Sequence, residues 1–85
     1  MSNQKKLFKE FINTPFPTWN DVEHLLKKLG YQKIDKKGSA VEFWNESKKS
    51  SILLHRPHPG NTIKTYTKKD IIEQIKKAGF FYESL

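Results

Sequence analysis

Two histidines, His55 and His58, follow an apolar run and stand among prolines in the stretch Ile52-Leu53-Leu54-His55-Arg56-Pro57-His58-Pro59-Gly60-Asn61. Histidine is the side chain whose ordinary titration lies near neutrality, and proline restricts the backbone that presents it. Such a pair can work as base and acid. One ring would take a proton from a ribose 2′-hydroxyl and the other protonate a leaving 5′-oxygen, with a lysine stabilising the negative charge that builds on phosphorus. The plainer alternative is that His55 packs at a strand end and His58 belongs to a turn. A metal site has less support, because two histidines with no carboxylate or cysteine beside them leave a ligand set incomplete.

A second constellation is Lys36-Lys37-Gly38-Ser39. It combines cations, a glycine that allows close backbone approach and a hydroxyl able to bond a phosphate. An ordinary hairpin turn has the same composition, so the motif has both readings. Trp44 is suited to stack a base, to enter a protein interface or to be partly buried in the core. His24, beside Leu25, reads as a helix-surface or boundary residue.

The charge of the chain selects among partners. Sixteen Lys+Arg against nine Asp+Glu give +7 over 85 residues. A surplus of this size attracts polyanions, nucleic acid first and acidic proteins second, although lysines also keep small domains in solution. Fifteen of the sixteen cations are lysine, which suits diffuse phosphate contact better than bidentate reading of bases. Cysteine is absent, which excludes disulfides and thiolate metal sites and is compatible with a reducing compartment. No signal-like or membrane-spanning apolar run occurs, so the expectation is a soluble, cytoplasmic protein without a cofactor.

The elements that must position these residues follow from periodicity. Leu7, Phe8, Phe11 and Ile12 predict a short helix over Lys5 to Ile12, an appendage ended by the connector Thr14-Pro15-Phe16-Pro17. Thr18 and Asp21 form a capping box for a helix in which Val22, Leu25, Leu26 and Leu29 share one face before Gly30 closes it. Strands are expected over Tyr31 to Ile34, Ser39 to Asn45 and Ser51 to Arg56, joined by the turns at 35–38 and 46–50. Alternation sends Val41 and Phe43 to one side and Ala40, Glu42 and Trp44 to the other. Pro57 to Lys64 is a loop, and Thr67 with Asp70 predicts a second capping box for a helix ending at Gly79 with a stripe of Ile71, Ile72, Ile75 and Ala78. The tail Phe80-Phe81-Tyr82 is expected to pack back or to meet a partner. Val41 and Phe43 should meet the two helical stripes. The fold class is thus α+β: helix, three-stranded antiparallel sheet, helix, with an extra N-terminal helix, like the double-stranded-RNA-binding fold.

Together these residues resemble the HicA family of toxins, the mRNA interferases of HicA–HicB toxin–antitoxin pairs. The resemblance runs from Thr18 to Gly79: Leu29-Gly30-Tyr31, Lys37-Gly38-Ser39 with the following Phe43, Pro57-His58-Pro59, and Lys77-Ala78-Gly79-Phe80. It implies an N-terminal extension at 1–17 and a HicA-like domain at 18–85. It further implies mRNA cleavage without a metal cofactor and a HicB-type antitoxin as partner, with no membrane involved. Lys36, Lys37, Gly38, Ser39 and Lys64 are the expected RNA contacts. The longer form of the family, with an added N-terminal segment and the loop from Leu54 to Asn61, looks like a branch of its own.

One position departs from the pattern. Where the family motif continues Gly-Ser with the histidine regarded as catalytic, this chain has Ala40, and a methyl group transfers no proton. Three readings follow: an inactivating substitution, a branch in which His55 or His58 does the work, or a protein that binds RNA or a partner without cutting. A structural domain whose basic surface meets an acidic protein is a fourth.

Overall fold

The computed structural model describes residues 4–80. Its elements are α1 (Gln4–Asn13), α2 (Trp19–Lys28), β1 (Gln32–Asp35), β2 (Ala40–Asn45), β3 (Ser50–His55) and α3 (Thr65–Lys77). The strands form one antiparallel sheet in the order β1-β2-β3. The α+β class and the element order are those the sequence predicts.

Binary patterning builds the core. Along β2 burial alternates residue by residue, so Val41 and Phe43 are buried, while Ala40, Glu42 and Trp44 are half-buried on the opposite face. Val41 and Phe43 share one apolar cluster with Val22, Leu25, Leu26 and Leu29 of α2 and with Ile71 and Ile75 of α3, as the two periodicities require. Ile72 and Ala78 pack on its margin. The sheet therefore has a covered face and an open one.

The capping box at Thr18 forms as expected. The Thr18 hydroxyl accepts from the Asp21 amide at 3.3 Å, and the Asp21 carboxylate accepts from the Thr18 amide at 2.9 Å. The box predicted at Thr67 and Asp70 does not form. Helix α3 begins at Thr65 behind Lys64, which caps it with no side-chain bond. The Lys68 amide already donates to the Lys64 carbonyl at 3.0 Å, so by Asp70 the amides belong to the helical ladder and need no cap.

Three other expectations shift. The N-terminal helix is no appendage, because Phe8 and Phe11 are buried in the common core and Pro17 is also fully buried. Lys68 ties it down further, its ammonium donating to the carbonyls of Ile12 and Thr14 at 2.8 Å each, where a helix end leaves acceptors unsatisfied. Tyr31, Ser39 and Arg56 lie just outside the strands to which periodicity assigns them. Of the tail, Phe80 packs back, its ring 6.2 Å from that of Tyr31; Phe81 and Tyr82 lie outside the described residues.

Asn45 locks the sheet to α2. It is buried, its Nδ2 donates to the Leu29 carbonyl at 3.0 Å, and its Oδ1 accepts from the Lys48 amide at 2.9 Å. Gly30, just beyond Leu29, has φ +96°, a backbone conformation that favours glycine, while a Cβ there would only touch Asn45 Nδ2 at 3.4 Å.

Candidate functional site

The register between β2 and β3 sets the site. Ala40 lies directly opposite His55, Glu42 opposite Leu53 and Trp44 opposite Ser51. All six belong to the open face, since alternate residues of a strand point the same way. Cross-strand partners have Cβ atoms about 4.5–5.5 Å apart. Ala40 and His55, far apart in sequence, are thus immediate neighbours.

The turn before β2 closes over the same end of the sheet. Gly38 has φ +66°, and the turn is held by the Lys36 amide donating to the Ala40 carbonyl at 3.0 Å and the Ala40 amide to the Lys37 carbonyl at 3.3 Å. The Arg56 amide donates to the Ser39 carbonyl at 2.9 Å, which carries the pairing one residue beyond both strands. Ser39 Oγ thereby comes to 3.5 Å from His55 Nδ1, the outer reach of a hydrogen bond. The Arg56 guanidinium is paired with Asp35 across the same end at 2.9 Å.

His58 stands on the loop between β3 and α3. That loop is tied back to the start of α2, the Trp19 amide donating to the Asn61 carbonyl at 2.8 Å and the Ile63 amide to the Pro17 carbonyl at 3.0 Å. Loop, β3 and the first turns of α3 enclose a groove of about 680 Å³, lined by His55, Arg56, His58, Lys64, Tyr66 and Asp70 among others. Both histidines are exposed and line this one groove.

The expected RNA contacts fall in two groups, of which only Lys64 lines the groove. Lys36, Lys37, Gly38 and Ser39 form the exposed turn beside Ala40 and His55, and Lys64 stands at the start of α3, its ammonium 5.8 Å from the centre of the Tyr66 ring. Lys36 also pairs with Glu42 at 3.2 Å. The Ser51 hydroxyl, donating to Glu42 at 2.7 Å, and that lysine hold the Glu42 carboxyl below its ordinary range. Part of the charge of Lys36 is answered within the protein.

Other sequence candidates fall elsewhere. His24 is exposed on α2, on the covered side of the sheet, and lines a shallow depression with Lys6, Glu10 and Lys28. Trp44 is half-buried on the open face, its indole donating to Glu46 at 2.9 Å. Among the described residues no three His, Cys, Asp or Glu side chains come together as a metal site would need. No helix among them is long and apolar enough to cross a membrane.

Sequence reasoning missed Tyr66 and Leu53, both exposed in the groove wall. A signal for Tyr66 was available, because at 100° per residue it lies well off the Ile71–Ile75 stripe. So was one for Leu53, since the polar Ser51 and His55 lie two residues to either side of it and alternation puts it on their face, away from Ile52 and Leu54.

Comparison with known proteins gives one finding of kinship. A model of the family described as HicA toxin of bacterial toxin–antitoxin matches residues 19–80, from the first residue of α2 to Phe80. No curated protein and no solved structure gives a significant match.

Proposed function

The chain belongs to the HicA toxin family, and on that premise we propose that it is the RNA-acting half of a toxin–antitoxin pair, with His55 at the centre of its reactive site. The observation that carries this reading is the pairing of Ala40 with His55. Position 40 is where the family resemblance places a catalytic histidine, and a ring there would face the His55 ring across adjacent strands. Two such rings on one phosphate are what a base and an acid require.

In the chain as it stands, His58 is the second ring available to the groove. One imidazole removes the ribose 2′-hydroxyl proton and the 2′-oxygen attacks phosphorus. The bond to the 5′-oxygen then breaks, the other imidazole protonates that oxygen, and a 2′,3′-cyclic phosphate is left. Lys64 in the groove lining and Lys37 in the turn beside Ala40 supply phosphate attraction, and the Ser39 hydroxyl is placed to orient His55 or to bond a phosphate oxygen. No step in this scheme calls for a metal. A HicB-type antitoxin is the protein partner that the family implies.

Ala40 favours a second reading, a module that binds RNA or a partner without cutting. One experiment separates the two: the purified chain, freed of antitoxin, incubated with RNA in chelator beside Ala40→His. Cutting by both proteins, with a 2′,3′-cyclic end and loss of activity on His58→Ala, supports the pair His55 and His58. Cutting by Ala40→His alone, with a gain of ~100- to 10,000-fold, assigns the missing general base to position 40. If neither cuts at high concentration, the binding module stands.

A further inference from the structure

The two edges of the sheet are built differently. Strand β1 has four residues, including Lys33 and Asp35, and Lys33 is anchored to Glu23 of α2 at 2.8 Å. Short, charged edge strands resist pairing with other chains. Strand β3 has six residues, Ser50-Ser51-Ile52-Leu53-Leu54-His55, with no lysine, proline or carboxylate among them. Leu53, at its middle, is 59% exposed. One edge is guarded and the other is not.

The hydrogen-bond alternation shows which backbone groups this free edge offers. In an antiparallel pair, bonded and non-bonded residue pairs alternate. The Arg56 amide donates to the Ser39 carbonyl, so 39/56 is a bonded pair, and 41/54, 43/52 and 45/50 follow from the register. The amides and carbonyls of Ser51, Leu53 and His55 therefore point away from β2. No described strand lies beyond them. The groove adjoins the Leu53–His55 part of this edge, lined as well by the buried Ile63 and by Tyr66 and Thr67 of α3. From Ser51 to His55 the edge spans about 13 Å, enough for a strand of about five residues.

Resting on the toxin–antitoxin reading above, we propose that the β3 edge is the antitoxin's docking site, where an acidic, extended segment adds a fourth strand to the sheet. Strand addition takes affinity from main-chain bonds and specificity from side-chain pockets. Charge selects the occupant. A second copy would bring another +7 to the same edge, whereas an acidic strand would meet Lys64 and Arg56 of the groove lining, against the single carboxylate of Asp70 there, and the basic surface of the whole chain. RNA offers no peptide groups to complete the ladder. A strand in this position lies against His55 and fills the groove, so inhibition follows from occlusion.

The test is amide hydrogen exchange of the full chain, alone and with its HicB-type antitoxin, together with the affinity of Leu53→Pro and Leu53→Lys. Leu53 belongs to a non-bonded pair, so proline there removes an outward amide and no bond of the sheet. The lysine variant guards the edge should the proline one fail to fold. The expected result is slowed exchange at Leu53 and His55 on antitoxin binding, with affinity at least about tenfold weaker in whichever variant melts as the parent does. Binding with unchanged exchange at these amides overturns strand addition and leaves the partner reading intact. Absence of any binding by the parent chain overturns both. Slowed exchange on concentrating the chain alone, or on adding RNA instead, assigns the edge to those partners and overturns the proposal.

Discussion

Glu23 shows how much one side chain can hold. Its Oε2 accepts from Lys33 Nζ at 2.8 Å and from the Trp19 indole at 2.7 Å, joining α2 to β1, with the glutamate side chain 20% and the lysine 26% exposed. The bond from Lys33 and then that from Trp19 hold its carboxyl below the ordinary range, although burial works against them. Because the folded carboxyl resists protonation, acid is taken up first by the unfolded chain. The stability it contributes is present above the unfolded value of about 4.3 and is lost as pH falls through the lower folded value. Glu23→Gln should therefore cost about 1 kcal/mol at neutral pH. That difference should shrink towards zero as pH is lowered through the carboxylate range. Thermal melts of the two proteins from neutral pH into acid check it, and a constant gap would show that the carboxylate charge contributes nothing.

At the scale of elements, α1 is the one whose sequence misleads. Pro15 and Pro17 look like a linker, yet Pro17 is fully buried and its carbonyl accepts from Ile63, so the connector is a part of the frame that holds the histidine loop. Phe8 is completely buried in the common core. Phe8→Ala should cost about 3–5 kcal/mol, the range for emptying a buried aromatic site. In a domain this small each kcal/mol lowers the melting temperature by about 4–8 °C, so a fall beyond ~12 °C is expected. Urea unfolding measures it directly, and a loss under ~1 kcal/mol would return α1 to the status of a detachable extension.

For the whole molecule, the count of sixteen cations overstates what RNA can use. Lys33 is held by Glu23, Lys36 by Glu42, and Lys68 by two backbone carbonyls. Lys37, in the turn beside Ala40, and Lys64, in the groove lining, remain exposed. Changing Lys36, Lys37 and Lys64 together to Gln should weaken RNA binding for all sequences alike. It should also reduce the slope of log affinity against log salt by about 0.7 to 0.9 for each phosphate no longer neutralised. The smallest share should come from Lys36, whose charge already has a partner. Fluorescence anisotropy across a salt series reads the slope, and an unchanged slope would move the RNA surface elsewhere.

Short-range physics governs the part of this fold that is legible along the chain. The cap at Thr18 and Asp21 closes within four residues, the stripe from Val22 to Leu29 repeats within two turns, and Val41 and Phe43 face inward because neighbouring strand residues must alternate. The start of α3 escaped because Thr67-Lys68-Lys69-Asp70 satisfies the local rule for a cap, while Ile63, bound to Pro17, leads the chain into helix at Thr65. Packing of distant segments is what sets Ala40 opposite His55, brings Leu53 and His55 to the groove and puts Phe8 in the core. Asn45 gave no sign in the sequence of its hold on Leu29. Register and burial are set by interactions between segments far apart along the chain, and one residue of slip in β3 would have turned His55 away from Ala40 and into the core.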